Sequence, residues 1–220
     1  MTPLFEYPRK AAFGRMLPKG KIYEHGRPRA ATRELFVRQV ERIVWQYKLA
    51  PETINIRGTA SVPEIEIFGI ALKDGELKTE VLRCIDQAIA FPILFELEHD
   101  GRVKPVAAFK RPSEADPSKW VVSGYLAGDW VSAARPRKPL PLVVDLEALY
   151  GHMLADLMPY PGRPGENLQA QVERMELIRL RQGELERCEI RLRKEKQFNR
   201  KVAINAELRN LKKELEELTR

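Results

Sequence analysis

Apolar residues recur at two different periods along this chain, and the changes of period divide it into segments. Phe36, Val40, Ile43 and Tyr47 fall four, three and four apart, with Val44 beside them, the spacing of one apolar helix face. Thr32 is placed to cap that helix, Glu34 lies in its first turn, and Pro51 ends it, since proline neither donates to a helix nor leaves its predecessor helical. Thr53 to Arg57 then alternates with period two, and Glu64 to Leu72 (EIEIFGIAL) reads as a second strand. The link from Gly58 to Pro63 is short enough to return one strand against the other as an antiparallel pair. Ile65 and Ile67 point one way and Phe68, Ile70 and Leu72 the other, so a bulge is expected near Gly69.

Leu77, Val81, Ile85 and Ala88 mark a further amphipathic helix, ended before Pro92. Ile93 to Leu97 and Val103 to Phe109 read as strands joined through Glu98-His99-Asp100-Gly101, and Asp-Gly is a strong hairpin signal. Trp120 to Leu126 is another strand. Asp145 is placed to cap a helix whose Leu146, Leu149, Tyr150, Met153 and Leu157 share a face. The order is helix, two strands, helix, three strands, helix. That order implies an α+β fold, a mostly antiparallel sheet with covering helices.

The pattern changes after Pro159-Tyr160-Pro161-Gly162-Arg163-Pro164-Gly165. Beyond it there is no proline and one glycine, Gly183. Ile204, Leu208, Leu211, Leu215 and Leu218 repeat as a heptad seam, and Leu168, Val172, Met175 and then Leu185, Cys188, Leu192 begin similar ones. The registers do not join across Lys194 to Lys201, where only Phe198 is apolar. A stutter in one helix or the turn of a helical hairpin would explain this, and the hairpin is favoured because Asn199 could cap a second helix. The seam needs cover from the first arm helix, a second copy of the chain or a partner. Ile204, Leu208, Leu211, Leu215 and Leu218 are therefore the candidate partner-binding residues. The opening 31 residues carry four prolines and three glycines. The division expected is a basic N-terminal arm (1–31), an α+β domain (32–158), a linker (159–165) and a coiled-coil-like helical arm (166–220).

Composition narrows the chemistry. Apolar residues make up 44% of the chain, enough to fill a core. Two cysteines, Cys84 and Cys188, form no metal-binding or disulfide framework, and no apolar run is long enough for a signal peptide or membrane span. A reduced, cytoplasmic protein is expected. His25, His99 and His152 are too scattered for a triad or a zinc site, and Gly20-Lys21 lacks the spacing of a phosphate loop. No catalytic residue, metal site or cofactor is assigned. Glu64, Glu66, Glu96 and Glu98 form two pairs on strands, with Lys110 nearby. They could hold Mg²⁺ as in a nuclease core, although the one Glu-x-Lys, Glu76-Leu77-Lys78, falls at a helix start with no Asp at a suitable strand end before it, and a solvated sheet face is the simpler reading.

The net charge of +7 is uneven. Arg187, Arg191, Arg193, Lys194, Lys196, Arg200 and Lys201 face only Glu189 and Glu195 over the same stretch. A merely solvated face mixes its signs, as Glu214, Glu216 and Glu217 do beside Lys212 and Lys213. Arg187, Arg191, Arg193, Lys196, Arg200 and Lys201 are thus candidate contacts to a nucleic-acid backbone.

The strings IVWQYKLAPETINI (43–56), EIEIFGIALK (64–73), IDQAIAFPILFEL (85–97) and KEKQFNRKVAINAELRNLKKELEEL (194–218) resemble the DUF4391 family, a bacterial domain of unknown function. The resemblance runs from Leu17-Pro18-Lys19 to the C-terminal helix, and the Pro/Arg-rich stretch 133–139 departs from it. It supplies no catalytic residues. It implies a role beside helicase and DNA methyltransferase genes of restriction or phage-defence clusters. The expectation is a non-catalytic accessory subunit of a DNA-targeting antiphage or restriction-type complex, with DNA and a helicase or methyltransferase as partners and self-association possible through the helical arm. The alternative is a divergent metal-dependent nuclease of the same kind of system.

Overall fold

One parallel pair of strands, flanked by antiparallel ones, organises residues 1–158, which form a unit separate from 159–220. The computed structural model describes residues 3–113, 115–116 and 119–220. Elements follow in the order β1 (Phe5–Glu6), a 3-10 turn (Arg9–Ala11), β2 (Ala12–Met16), α1 (Lys19–Gly26), α2 (Ala30–Gln39), β3 (Val40–Leu49), α3 (Pro51–Ile54) and β4 (Ile65–Leu72). Then come α4 (Thr79–Ala88), β5 (Ile93–His99), β6 (Arg102–Pro112), β7 (Trp120–Ala127), β8 (Val131–Ser132), β9 (Lys138–Pro139) and α5 (Leu146–Ala155). The main sheet runs β2-β3-β4-β5-β6-β7, with β8 on β6. Only β4 and β5 are parallel there, joined through α4, and the other pairs are antiparallel. The fold is therefore α+β with a mostly antiparallel sheet, as the order of periods implies.

Several local expectations hold for local reasons. Asp100 and Gly101 both take positive φ (45° and 69°) between β5 and β6, the geometry of a two-residue turn that matches strand twist. Asp145 caps α5 by accepting from the Ala148 amide at 2.9 Å. β4 is buried along its whole length, which is why it reads as a near-continuous apolar run.

The helix expected over Phe36 to Tyr47 is a correction. Helix α2 ends at Gln39, and Val40 onward is strand β3. Strand β3 carries two bulges, and the first accounts for the Val40/Ile43 part of the mimicry. The register of β3 on β4 slips between Val40 and Arg42 and again between Trp45 and Tyr47. Each bulge inserts one residue, so same-face positions stand three apart instead of two. Val40 and Ile43 thus reach one core cluster three apart, whereas Tyr47 pairs with Ile67 on the opposite face and packs against Tyr7. The bulge expected near Gly69 lies across from it on β3, at Gln46. A Cβ on Gly69 would stand 2.2 Å from the Gln46 amide nitrogen.

The strand expected at Thr53 to Arg57 is instead the short helix α3, followed by Asn55 in the left-handed region (φ 56°). It cannot pair with β4, whose neighbours are β3 and β5. Thr32 is interior to α2, whose N-cap is Arg29. Residues 1–31 belong to this unit rather than forming an arm: β2 is the edge strand beside β3, α1 packs on α4, and Ile22 is buried in the main core.

The face of the sheet carrying Phe68, Ile70 and Phe95 is covered by α1, α2 and α4. The opposite face carries Gly69, Glu96 and Glu98 in register. There the N-terminal segment and the Pro/Arg-rich stretch meet, as β1 pairs in parallel with β9.

Residues 159–220 form a helical hairpin of α6 (Leu168–Lys194) and α7 (Phe198–Thr219). Cys188, Leu208 and Leu211 are buried together, with Leu185, Leu192 and Ile204 packed against them. At the open end of the hairpin, Arg174 makes two 2.7 Å bonds to Glu166 and donates to the carbonyls of Leu218 (3.1 Å) and Pro161 (2.8 Å). The Arg174 guanidinium holds the Glu166 carboxyl down at about 2. Asn199 does not cap α7, because the helix has begun at Phe198 and Gln197 is its N-cap. Glu195 serves the turn instead, accepting from the amides of Lys196 (2.8 Å) and Gln197 (2.9 Å).

Candidate functional site

Strand alternation decides the fate of the four glutamates. Glu66 pairs with Ile93, and Gly69 with Glu96. Glu64 and Glu66 therefore face the Phe68 side, and Glu96 and Glu98 the Gly69 side. The sheet lies between the pairs, so one ion cannot bridge them. Glu64 binds Lys48 at 2.8 Å. Glu66 is 1% exposed, and one of its carboxylate oxygens has no partner among the described residues. Burial, then the neighbouring Glu64, pushes its carboxyl up to about 9. It is a protonated acid at neutral pH, unsuited to hold a cation.

On the other face, Arg137 grips buried Glu96 through two bonds (2.8 and 2.7 Å) and donates to the Phe5 carbonyl at 2.8 Å. Tyr7 lies fully buried beside them, its hydroxyl pushed up by burial and then by the charge of Glu96. Glu98 accepts from bulged Gln46 at 2.9 Å and stands 3.8 Å from Arg42. A cleft of about 630 Å³ opens where β4 and β5 end, lined by Arg42, Lys73, Glu98, His99, Arg102 and Arg137 among others. Its four cations are each held inside the unit. Arg42 stands by Glu98, Lys73 binds the Val37 carbonyl, Arg102 the Trp130 carbonyl, and Arg137 Glu96. The Pro/Arg-rich stretch thus serves to neutralise a buried carboxylate.

Lys110 is 1% exposed and far from solvent. Its ammonium donates to the carbonyls of Asp86 (2.6 Å) and Ile89 at the end of α4 and stands 3.5 Å from the Asp86 carboxylate. Tyr125 donates to the same carboxylate. A cation at a helix C-terminus satisfies the last carbonyls and favours the dipole. This cluster closes α4 onto the sheet. His99 is held by the Leu72 carbonyl (3.3 Å), while His25 and His152 lie on α1 and α5. Among the described residues, no three His, Cys, Asp or Glu side chains converge as metal ligands.

The basic candidates gather at the tip of the helical hairpin. Arg193 and Lys194 close α6, Lys196 lies in the turn, and Arg200 and Lys201 open α7. All are exposed. Arg191 is tied to Glu207 at 2.6 Å. Arg187 is one helical turn further from the tip. No carboxylate stands within ion-pair distance of Arg193, Lys196, Arg200 or Lys201 among the described residues; Glu195, the acid of the turn, accepts from backbone amides, and those bonds and then the charges of Arg200 and Lys201 hold its carboxyl below the usual range. Of the seam residues, Leu208 and Leu211 are covered by α6, and Ile204 packs beside them.

Sequence reasoning missed the Glu96–Arg137–Tyr7 and Asp86–Lys110–Tyr125 groups. Their members are far apart in the chain and carry no local spacing. The one signal was the density of Arg and Pro at 133–139.

The sequence profile described as Domain of unknown function (DUF4391) matches residues 5–215. Neither the curated proteins nor the solved structures give a match.

Proposed function

This chain belongs to the DUF4391 family, and we propose that it is a non-catalytic accessory subunit that holds nucleic-acid backbone on the tip of its helical hairpin. The setting proposed is a bacterial DNA-targeting complex of the antiphage or restriction type, with a helicase or methyltransferase as partner. The observation that carries the reading is the exposed set Arg193, Lys196, Arg200 and Lys201, gathered by the turn around a single carboxylate, Glu195. Exposed cations that outnumber the one carboxylate of the turn, Glu195, suit phosphate contacts, which give affinity without base specificity. The opposite-face carboxylate pairs weigh against the nuclease alternative. Since α6 covers the centre of the seam, a protein partner would dock elsewhere on the chain.

Binding of a labelled duplex measured across salt concentrations tests this. With four phosphates neutralised, log affinity should fall against log salt with a slope of about −3.6. Changing Arg193, Lys196, Arg200 and Lys201 together to Gln should weaken binding and flatten the slope. Unchanged affinity and slope would move the site to the basic residues among 1–48.

A further inference from the structure

Phe198 is 77% exposed and stands at the first position of α7, in the middle of the tip cations. It takes no part in the hairpin core. At 100° per residue it lies roughly 120° around α7 from Ile204, the first seam residue to meet α6. Val202, one turn on, is 54% exposed on the same side. Lys201 flanks that side, and Asn205 and Arg209 continue it along the helix. The Asn205 side-chain amide donates to the Lys201 carbonyl at 2.9 Å.

A lone exposed apolar residue means little. An aromatic ring with an exposed cation beside it in the turn, Lys196, and another on its own side of the helix, Lys201, is different, because each half of that arrangement fits a part of the same ligand. Cations take phosphates. A flat π-face takes a base, but only one free of its duplex stack. Duplex DNA would bring phosphates to Lys196, Arg200 and Lys201 and leave Phe198 facing water or sugar edges. We propose that the hairpin tip is a single-strand binding site, with an unpaired base stacked on Phe198 and the adjoining phosphates held by Lys196 and Lys201. This rests on the nucleic-acid reading above and names its substrate class as single-stranded or locally melted nucleic acid.

The test compares a fluorescein-labelled twenty-nucleotide oligothymidylate with a duplex of equal length, using the full chain at one ionic strength. Wild type should prefer the single strand by roughly tenfold, the scale of one stacked base. Phe198→Ala should abolish that preference while leaving duplex affinity and the salt slope as they were, and Phe198→Trp should keep it. A 2-aminopurine placed within the oligonucleotide should change its emission on binding wild type but not Phe198→Ala. The exposed position makes a folding defect improbable, and an unchanged helical circular dichroism signal checks it. Equal affinity for both probes, or equal loss for both on Phe198→Ala, would overturn the stacking site and leave backbone binding intact. Absence of binding to either probe would overturn both. Recruitment to vesicles containing phosphatidylglycerol, lost in Phe198→Ala without oligonucleotide binding, would assign the tip to an anionic membrane surface and overturn the proposal.

Discussion

Glu66 shows how much a single buried carboxyl can control. Its neighbours Trp45 and Phe68 stack at 5.9 Å on the same side of the sheet, and Lys48 is already engaged by Glu64. Burial leads and the charge of Glu64 follows in pushing its carboxyl up to about 9. In the unfolded chain it would titrate as an ordinary glutamate, near 4.3. A folded pKa raised above the unfolded one gives stability that is whole below the unfolded value and lost as pH rises through the folded value. Stability should therefore fall from about pH 4.5 to about pH 9 on this account. Glu66→Gln keeps the shape and removes the ionisation. It should raise stability at pH 7 by about 4 kcal/mol, more at pH 8, and flatten the dependence between. Denaturant unfolding at three pH values measures this, and an unshifted midpoint across that range would show that Glu66 is not the titrating group.

At the scale of elements, the helical hairpin converts an expected interface into an internal one. Leu211 is buried with Leu208 and Cys188 between α6 and α7. Leu211→Lys places an ammonium in that seam and removes apolar contact, costing on the order of 2–4 kcal/mol. The expected result is a lower melting temperature for the helical signal, with solution mass unchanged. A change of mass at constant melting temperature would mean that the seam joins separate chains. The same logic explains Lys110, a basic residue given to the end of α4 to satisfy its carbonyls, where an apolar replacement would leave those carbonyls bare.

For the whole molecule, the proline and glycine run at 159–165 coincides with the place where the chain divides into two units. Each has its own buried cluster: Phe36, Phe68, Ile85 and Phe95 in one, and Cys188, Leu208 and Leu211 in the other. A chain ended after Met158 should fold and unfold in one cooperative step followed by tryptophan fluorescence, since Trp45, Trp120 and Trp130 all lie in that part. Insolubility, or unfolding without a transition, would show that residues 159–220 complete its core. No helix among the described residues is long and apolar enough to cross a membrane.

Local chemistry was enough to place α4, β4 to β7, the Asp100-Gly101 turn, the Asp145 cap and the pair of C-terminal helices, because each depends on residues within one or two turns of itself. Membership of the family was legible for the same reason, in strings such as EIEIFGIALK. Strand β3 was not legible. Its Val40–Ile43 spacing comes from a bulge at Glu41, and a bulge is defined by the strand it pairs with, here β4. Nor could spacing tell that Glu64 and Glu66 lie on the far face from Glu96 and Glu98, since that follows from the parallel register of β4 and β5 through α4. Arg137 reaches Glu96 from 41 residues away, and Lys110 reaches Asp86 from 24. The basic tip lies between: its composition is written in nine consecutive residues, 193–201, but its exposure was decided when α6 and α7 folded back on each other. Sequence determines what a segment can form alone, and tertiary pairing selects which side chains meet, because desolvation and ion pairing act only once distant groups share a place.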